Sequence, residues 1–417
     1  VTTSTMNPGY VYFSDNMYLN HTALNPVFNV LYSLSHQKDF GKQFRFMDDE
    51  VAHAISADLM ACNEQDSVPH LLNTSRPNIV FIIMESFGAK ILEPLGGIKD
   101  VAPNLNKLTG EGVFFRRMYA NSFRTDRGIV SVLGGYPAQP NMSILKYAKK
   151  VQSLGGIPKS LIENGYKGSF LYGGDLNFAQ MELFVVTQKI TAITDDADFP
   201  MDKRLTKWGV PDAFTFEKFA KDIENERHEP FVKLFLTLSS HEPFDVPTCK
   251  FNEPYLNSVA YTDSCLGIFI DKIKHSPLWD NSLIVLVPDH DMRFPKTIDH
   301  FAPERHDIFM LWLGGAVKKP VVIDNLCTQA DIAATLLGQL GIPASQFTFS
   351  RNILNPSSKE FAFYTFPNGF GMISPAGKVA FDCDGNNPVF SEGEATDSLV
   401  VEGKALLQCL YDDIQAR

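Results

Sequence analysis

The sequence predicts an α/β fold: a mostly parallel central sheet with helices on both faces, followed by a small antiparallel sheet and a helix. Short apolar runs of strand length alternate with helical patterns from about residue 76 onward, which is typical of βαβ units. These runs are apolar throughout, as expected for strands buried on both faces. From about residue 361 the pattern changes to short alternating runs separated by Gly and Pro turns, which indicates antiparallel hairpins.

The order of these patterns divides the chain into three parts. We expect an approach segment at 1–75 that packs on the core, an α/β core at 76–345, and a C-terminal subdomain at 346–417. The predicted core strands are 78–84, 167–172, 231–238, 282–287 and 308–313, and the predicted helices between and after them are 105–111, 157–164, 211–226, 257–274 and 328–340. The C-terminal helix is predicted at 395–416.

Composition excludes several classes of protein. The chain has 417 residues and a formal net charge of -11, which argues against nucleic acid as the main partner because phosphate backbones require a basic face. No apolar run of about 20 residues is present in this sequence, so no membrane span is visible in it. The six cysteines form no C-x-x-C pair, which argues against a zinc ribbon. Whether Cys249 pairs with Cys265, or Cys383 with Cys409, stays open.

Polar side chains stand at or just after the ends of four of the predicted core strands. In an open α/β sheet, ligands bind beyond the carboxyl ends of the strands. The residues at these positions are Glu85, then Tyr172 and Asp175, then His241, and finally Asp289 and His290. Each of them alone could be a solvated loop residue or a turn cap. Their joint occurrence at successive strand ends predicts one common site.

Glu85, Asp289 and His290 supply two carboxylates and an imidazole. That mixture of oxygen and nitrogen ligands suits Mn²⁺, Mg²⁺ or Zn²⁺. We therefore expect these three side chains to hold a divalent metal ion.

Thr125 lies in a loop that turns into a helix, within the run 122–128. A hydroxyl at or next to the N-cap can accept hydrogen bonds from free backbone N–H groups, so a simple capping role is one reading. The positive end of the helix also favours an alkoxide or a bound anion. Beside a metal ion, Thr125 would become a nucleophile near neutral pH. His241 could then protonate a leaving alkoxide, and Arg124 and Arg127 could neutralise a phosphoryl group or be solvated surface charges.

Several of these stretches resemble the lipoteichoic acid synthase family, a branch of the alkaline phosphatase/sulfatase superfamily. The matching stretches are Pro77–Val80 leading into Met84–Ser86, Ala102–Leu105, Ser122–Gly128, and Asp289 with His290. The resemblance implies one divalent ion, Mn²⁺ first, bound by Glu85, Thr125, Asp289 and His290. It also implies a covalent phosphoglycerol intermediate on Thr125 and a substrate contact from His241.

The resemblance further implies where such a protein works and on what. The expected donor is a phosphatidylglycerol-like phospholipid headgroup, and the expected acceptor is an alcohol. The expected location is the inner membrane, with the catalytic domain on the extracytoplasmic side. The resemblance also implies an N-terminal transmembrane region upstream of this sequence, and the start at Val1 rather than Met indicates a processed or excised fragment.

The stretch 172–181 departs from the Gram-positive synthases, which carry a His and then a Trp-x-Arg element there. The version here looks like that of Gram-negative members, and we expect Tyr172, Asp175 and Arg127 to contact the substrate with His241. The alternatives are a phosphoethanolamine transferase, a phosphodiesterase or sulfatase-type hydrolase with the same core, and a non-catalytic lipid-headgroup sensor. The segment beginning at Thr125 lacks the Cys/Ser-x-Pro-x-Arg motif of sulfatases, which disfavours sulfate-ester hydrolysis.

Overall fold

The computed structural model describes residues 39–63 and 65–417, together with residues 23, 25–28 and 31. Most of the first half of the predicted approach segment therefore lies outside the described residues. Within the second half, the helix α1 spans Asp49–Met60 and buries Ala52, Ser56 and Leu59.

A nine-stranded sheet forms the centre of the molecule. Its strands are β1 (Asn78–Met84), β2 (Val113–Tyr119), β3 (Lys167–Tyr172), β4 (Ala192–Thr194), β5 (Phe231–Leu236), β6 (Ser282–Pro288), β7 (Asp307–Leu313), β8 (Val321–Ile323) and β9 (Cys327–Thr328). Their order across the sheet is β4-β3-β5-β1-β6-β7-β2-β8, and β9 also pairs with β2. Strand β7 runs antiparallel to β6 and β2, while the other pairings are parallel.

Helices cover both faces of this sheet. They are α2 (Pro103–Leu108), α3 (Thr125–Gly134), α4 (Ala148–Gln152), α5 (Ile157–Glu163), α6 (Met181–Thr187), α7 (Asp212–Glu224), α8 (Pro254–Lys274) and α9 (Ile332–Leu340). Alternate residues of β1 point to opposite faces, so Ile79 and Phe81 enter one apolar core while Val80 and Ile82 enter the other. All seven residues of β1 are buried, which explains its continuous apolar sequence. The prediction of a mostly parallel α/β sheet is confirmed.

Strand β2 is the main element that the sequence pattern misses. Its sequence places Arg116 and Arg117 in the middle of an apolar run, and a register shift between Phe115 and Met118 occurs there. Arg116 points outward and forms an ion pair with Asp324. The short strands β4, β8 and β9 were also not predicted, and helix α2 begins and ends earlier than the predicted 105–111.

The C-terminal region forms a separate antiparallel sheet of four strands: β10 (Ala362–Phe366), β11 (Gly369–Ser374), β12 (Gly377–Asp382) and β13 (Asn387–Gly393). Helix α10 (Thr396–Ala416) follows, and Gly403 lies against the rings of the sheet. The fourth strand was not predicted, because its residues are mostly exposed.

The structure bears on two further points, the pairing of the cysteines and the presence of membrane-spanning helices. All six cysteines are free, so neither of the considered disulfide pairs is formed. Among the helices in the described part of the chain, none is both long and apolar enough to cross a membrane.

Candidate active site

The carboxyl ends of the neighbouring strands β1 and β6 bring Glu85 and Asp289 together. The two strands pair in parallel up to Met84 and Pro288, so the next residue of each strand stands at the same edge of the sheet. The main-chain N–H of Ser86 donates a 2.9 Å hydrogen bond to Oδ1 of Asp289. Glu85 and Asp289 are both buried, and together with His290 they form a group that could hold a metal ion, with ligand atoms within 4.8 Å of one another.

The imidazole of His290 completes this group. Its Nε2 lies 3.6 Å from Oε1 of Glu85 and 3.5 Å from Oδ2 of Asp289. Its Nδ1 lies 3.0 Å from the main-chain oxygen of Asp291, and a carbonyl can only accept, so Nδ1 carries the proton. Burial lowers the pKa of His290, which favours the neutral ring. Nε2 then presents a lone pair to the two carboxylates.

This arrangement of acceptors fits a cation. Oδ2 of Asp289 is buried and has no hydrogen-bond partner in the described part of the chain. Burial raises the pKa of Asp289 to about 6, and burial followed by the charge of Asp289 raises the pKa of Glu85. Two buried carboxylates and an imidazole lone pair directed at one point repel one another unless a positive charge lies between them. The residues present therefore fit the divalent ion that the sequence predicts.

Thr125 is the first residue of helix α3, and its hydroxyl reaches the same point. The N-cap position belongs to Arg124, whose side chain makes no capping hydrogen bond. Oγ1 of Thr125 donates a 3.0 Å hydrogen bond to Oε2 of Glu85 and lies 3.4 Å from Nε2 of His290. Thr125 thus joins the group formed by Glu85, Asp289 and His290, and it does not act as a side-chain cap.

Two residues that the sequence reasoning missed hold the helix and the strand in this register. A Cβ atom at Gly128 would lie 2.2 Å from the main-chain oxygen of Asp289, so only glycine lets α3 approach the end of β6. The side-chain amide of Gln329 donates 2.7 Å hydrogen bonds to the main-chain oxygens of both Pro288 and Asp289. Gly128 lies in the run that drew attention to Thr125, but nothing in the sequence around Gln329 indicates its contact with β6.

Ser86 was also missed, and its backbone is strained. Its φ of 60° lies in the left-handed region, which non-glycine residues rarely adopt. Its hydroxyl donates a 2.7 Å hydrogen bond to Oε1 of Glu85, and the phenol of Tyr255 donates a 2.8 Å hydrogen bond to its main-chain oxygen. Strain of this kind persists where surrounding contacts enforce it, and here those contacts fix the Glu85 carboxylate.

A cavity of about 360 Å³ opens onto Thr125, and His241 stands in its wall. Nδ1 of His241 lies 2.8 Å from the main-chain oxygen of Glu242 and donates a hydrogen bond to it, because a carbonyl oxygen can only accept. The other ring nitrogen, Nε2, is therefore the one that can take up or release a proton. The ring of Trp208 packs edge-on against His241 with a centroid distance of 4.8 Å. A second cleft of about 800 Å³ adjoins the first and shares Trp208, His241, Glu242 and Met292 with it.

The predicted substrate contacts divide into two groups. Tyr172 is buried at the end of β3 and lines the cavity with Thr125. Asp175 is exposed, accepts a 2.8 Å hydrogen bond from the main-chain N–H of Asn177, and does not line the cavity. Arg127 turns away from it and donates a 3.2 Å hydrogen bond to the main-chain oxygen of Pro140. The substrate-binding roles of all three residues stay predictions.

A further cation, Arg305, lines the cavity and was not singled out in the sequence. It ends a short 3-10 turn, Pro303–Arg305, which is separated from β7 by His306 alone. The histidines nearby do not line the cavity: His300 is exposed, and His306 is buried with its ring stacked on Tyr364 at 4.0 Å. Burial lowers the pKa of His306 to about 3, which keeps it neutral.

Residues 77–342 match the family model named Sulfatase. The chain belongs to the sulfatase family. The prediction of an enzyme from the alkaline phosphatase/sulfatase superfamily is thereby confirmed. The match runs from the residue before β1 to the end of α9, so it includes each of the four predicted metal ligands and His241.

Similar proteins include a lipoteichoic acid synthase-like protein and a phosphoglycerol transferase. The chain is 22% identical over 361 residues to a lipoteichoic acid synthase-like protein of Bacillus subtilis, covering 75% of this chain and 58% of that protein. It is 24% identical over 315 residues to phosphoglycerol transferase I of Xanthomonas campestris pv. campestris, covering 69% of this chain and 44% of the transferase. The chain thus spans about half the length of the curated relatives it matches.

A solved structure supports the same fold. A protein in the alkaline phosphatase superfamily from Vibrio parahaemolyticus superimposes with a TM-score of 0.77 at 25% sequence identity, covering 91% of this chain and 98% of that chain. Because the superposition covers 91% of this chain, the similarity extends beyond the central sheet.

Proposed function

We propose that this protein is a metal-dependent phosphoglycerol-type transferase that acts on a phospholipid headgroup through a covalent intermediate on Thr125. The observation that carries the proposal is the convergence of the Thr125 hydroxyl on Glu85 and His290 at the edge of the sheet. The names of the relatives, phosphoglycerol transferase and lipoteichoic acid synthase, support the same class of reaction.

Glu85, Thr125, Asp289 and His290 would hold the metal ion, and Mn²⁺ is our first choice, with Mg²⁺ or Zn²⁺ as alternatives. When bound, such an ion lowers the pKa of a coordinated hydroxyl and neutralises charge on phosphoryl oxygens. The main-chain donors Ser86 N–H and His290 N–H hold Oδ1 of Asp289 at 2.9 Å and 2.8 Å. They leave its Oδ2 directed at the site.

In the first step, Oγ1 of Thr125 attacks phosphorus in the headgroup diester. The bond between Oγ1 and phosphorus forms, and the bond from phosphorus to the diacylglycerol oxygen breaks. Oε2 of Glu85, at 3.0 Å, is the nearest acceptor for the hydroxyl proton. The departing alkoxide takes a proton from Nε2 of a protonated His241, whose Nδ1 is fixed by Glu242.

In the second step, an alcohol attacks the phosphorus carried by Thr125 and the bond from Oγ1 to phosphorus breaks. The departing Oγ1 takes back the proton that Oε2 of Glu85 accepted in the first step. Nε2 of His241 is then unprotonated and accepts the proton of the incoming hydroxyl. The second cleft of about 800 Å³ meets the first at His241, which supports an acceptor larger than water. The corresponding location is the inner membrane, with this domain on the extracytoplasmic side, where headgroup and acceptor are both available.

Intact-mass spectrometry of the protein after incubation with phosphatidylglycerol tests this proposal. We expect the mass of one phosphoglycerol group to be added to the peptide that contains Thr125, and Thr125→Ala to carry none. Thr187→Ala is the matched control, since Thr187 lies on helix α6 and outside the cavity. An adduct with phosphatidylethanolamine in place of phosphatidylglycerol would change the assigned donor, and no adduct with either lipid would contradict the proposal.

A further inference from the structure

The guanidinium of Arg305 is a buried cation that forms no ion pair with an acid in the described part of the chain. The residue is 5% exposed, and it lines the cavity that contains Thr125, Glu85 and His290. Its NH1 donates a hydrogen bond to the main-chain oxygen of Asp291, while its Nε is buried and has no hydrogen-bond partner among residues 39–63 and 65–417. Among the residues that the structure describes, no carboxylate lies within ion-pairing distance of Arg305.

The nearest acid is already engaged elsewhere. The carboxylate of Asp291 forms an ion pair with Nζ of Lys90 at 2.5 Å. Its charge also acts on Arg305, but the hydrogen bond from Arg305 goes to the main-chain oxygen of Asp291 and not to its carboxylate. The other arginine in the cavity wall, Arg124, is different, because its side chain is 56% exposed and lies 3.3 Å from Asp126. Burial of an unpaired charge is costly, and a site that tolerates it is normally completed by an ion of opposite sign.

We propose that Arg305 is the anion-binding residue of this cavity and that it binds non-bridging oxygens of the phosphoryl group carried by Thr125. The ligand class is a phosphodiester monoanion or a phosphate monoester, and the identity of its organic part rests on the proposed function. A guanidinium suits this task because its planar fork can donate two parallel hydrogen bonds to a phosphoryl group. Its charge also offsets the repulsion that Glu85 and Asp289 exert on an incoming anion.

A purely structural role is the competing explanation. Arg305 would then serve only to hold the loop between β6 and β7 through the main-chain oxygen of Asp291. The two roles predict different effects on stability when the positive charge of Arg305 is removed. A structural arginine is required for stability, whereas an anion-binding arginine is a source of instability until its ligand arrives.

Binding of inorganic phosphate separates these roles without requiring turnover. Calorimetric titrations compare the intact protein with Arg305→Gln and Arg305→Lys, in Mn²⁺ and again in EDTA. We expect phosphate affinity to fall at least tenfold in the Gln variant and to be intermediate in the Lys variant, which keeps the charge but loses the fork. Arg116→Gln, on the exposed side of β2, is the matched control and should bind phosphate like the parent.

Thermal denaturation without phosphate adds a second measurement. We expect Arg305→Gln to melt at the same temperature as the parent or higher, and to lose the stabilisation that phosphate gives the parent. Equal phosphate affinity in the parent and Arg305→Gln would overturn the proposal, and so would a parent protein that binds no phosphate under either condition. If Arg305→Gln does not fold, the affinity of Arg305→Lys decides between the two roles.

Turnover distinguishes this proposal from the proposed transfer reaction. Since negative charge builds up on the phosphoryl oxygens during transfer, we expect Arg305→Gln to lower kcat by about 10²–10³-fold with a smaller rise in KM. If phosphate binds through Arg305 but no lipid donor forms an adduct, the transfer reaction fails and the anion site stands. If the adduct forms at the parent rate in Arg305→Gln, the anion site fails and the transfer reaction stands.

Discussion

The α-carbon of Gly128 lies against the main-chain oxygen of Asp289, at a spacing that would place an added Cβ atom 2.2 Å from that oxygen. This contact sets the distance between helix α3, which carries Thr125, and strand β6, which carries two of the expected metal ligands. The neighbouring atom is backbone and cannot rotate away. Even one methyl group must therefore move the helix or the strand.

We expect Gly128→Ala to reduce metal affinity and transfer more than it reduces stability. Overpacking of this kind costs roughly 1–3 kcal/mol, which a domain of this size can tolerate, but it displaces Thr125 from Glu85 and His290. Metal titration and urea denaturation measure the two effects. Gly110→Ala is the control, since its Cβ atom would approach nothing closer than 3.6 Å. Wild-type metal affinity in Gly128→Ala would contradict the structural argument.

Metal-free protein should lose stability as the pH rises from about 4 to about 6. Burial raises the pKa of Asp289 to about 6, whereas an unfolded Asp titrates near 3.9, so the folded state retains this proton to a higher pH. The contribution of this group is present below pH 4 and is lost as pH rises through 6, and it amounts to about 1–3 kcal/mol. Denaturation in EDTA between pH 4 and pH 8 measures it.

Asp289→Asn supplies the control for that measurement. Other buried acids also titrate, including Asp291 and Asp307, whose pKa values burial raises to about 7. The difference between the parent and Asp289→Asn isolates the contribution of Asp289. Identical pH dependence in the two proteins would mean that Asp289 is ionised throughout this range.

A bound divalent ion should offset the loss of stability that the metal-free protein shows as pH rises. Metal binding requires the ionised carboxylates, so apparent affinity falls as pH drops below about 6. At 100 times its dissociation constant, the ion adds about 2.7 kcal/mol of stability. We expect melting temperature to rise on addition of Mn²⁺ at pH 7.5 and to change much less in Glu85→Gln. Absence of any effect of Mn²⁺, Mg²⁺ or Zn²⁺ on the parent would contradict the metal site and favour a headgroup sensor.

Arg351 should be essential for stability although it lies away from the cavity. It pairs with Asp331 at 2.5 Å and donates 2.6 Å and 2.8 Å hydrogen bonds to the main-chain oxygens of Lys359 and Phe361. Arg351→Ala leaves a buried carboxylate without its partner, so we expect a loss of about 3–5 kcal/mol in the free energy of unfolding. The double variant with Asp331→Asn should recover part of the loss. A cost below about 1 kcal/mol for Arg351→Ala would show that water replaces the pair.

The sequence allows prediction of those parts of the fold whose pattern is local. Strand β1 is buried on both faces, so its uniform apolar run identifies it and locates Glu85 at its end. Strand β2 is not predictable in the same way, because Arg116 and Arg117 interrupt its apolar run where its pairing with β7 shifts register. Such a bulge depends on the partner strand rather than on the local sequence.

The residues of the site also divide into those that the local sequence identifies and those that only tertiary packing brings there. Glu85, Asp289 and His290 follow core strands directly, so the sheet topology is enough to bring them together. Arg305 and Gln329 reach the site from short 3-10 turns whose position is set by tertiary packing, and nothing in their local sequence indicates these contacts. Arg127 shows the converse, since its position beside Thr125 in the sequence does not make it point into the cavity.

The pairing of β1 with β6 has a consequence for how the chain reaches its final state. Ser86 and Asp289 are separated by 203 residues, and β5 must take its place on the other side of β1 as well. Contacts this distant form slowly, because closing so long a loop costs entropy before it gains any contact. We therefore expect the group formed by Glu85, Asp289 and His290 to assemble only after the central strands have docked, so that metal uptake would report the completion of folding rather than its start.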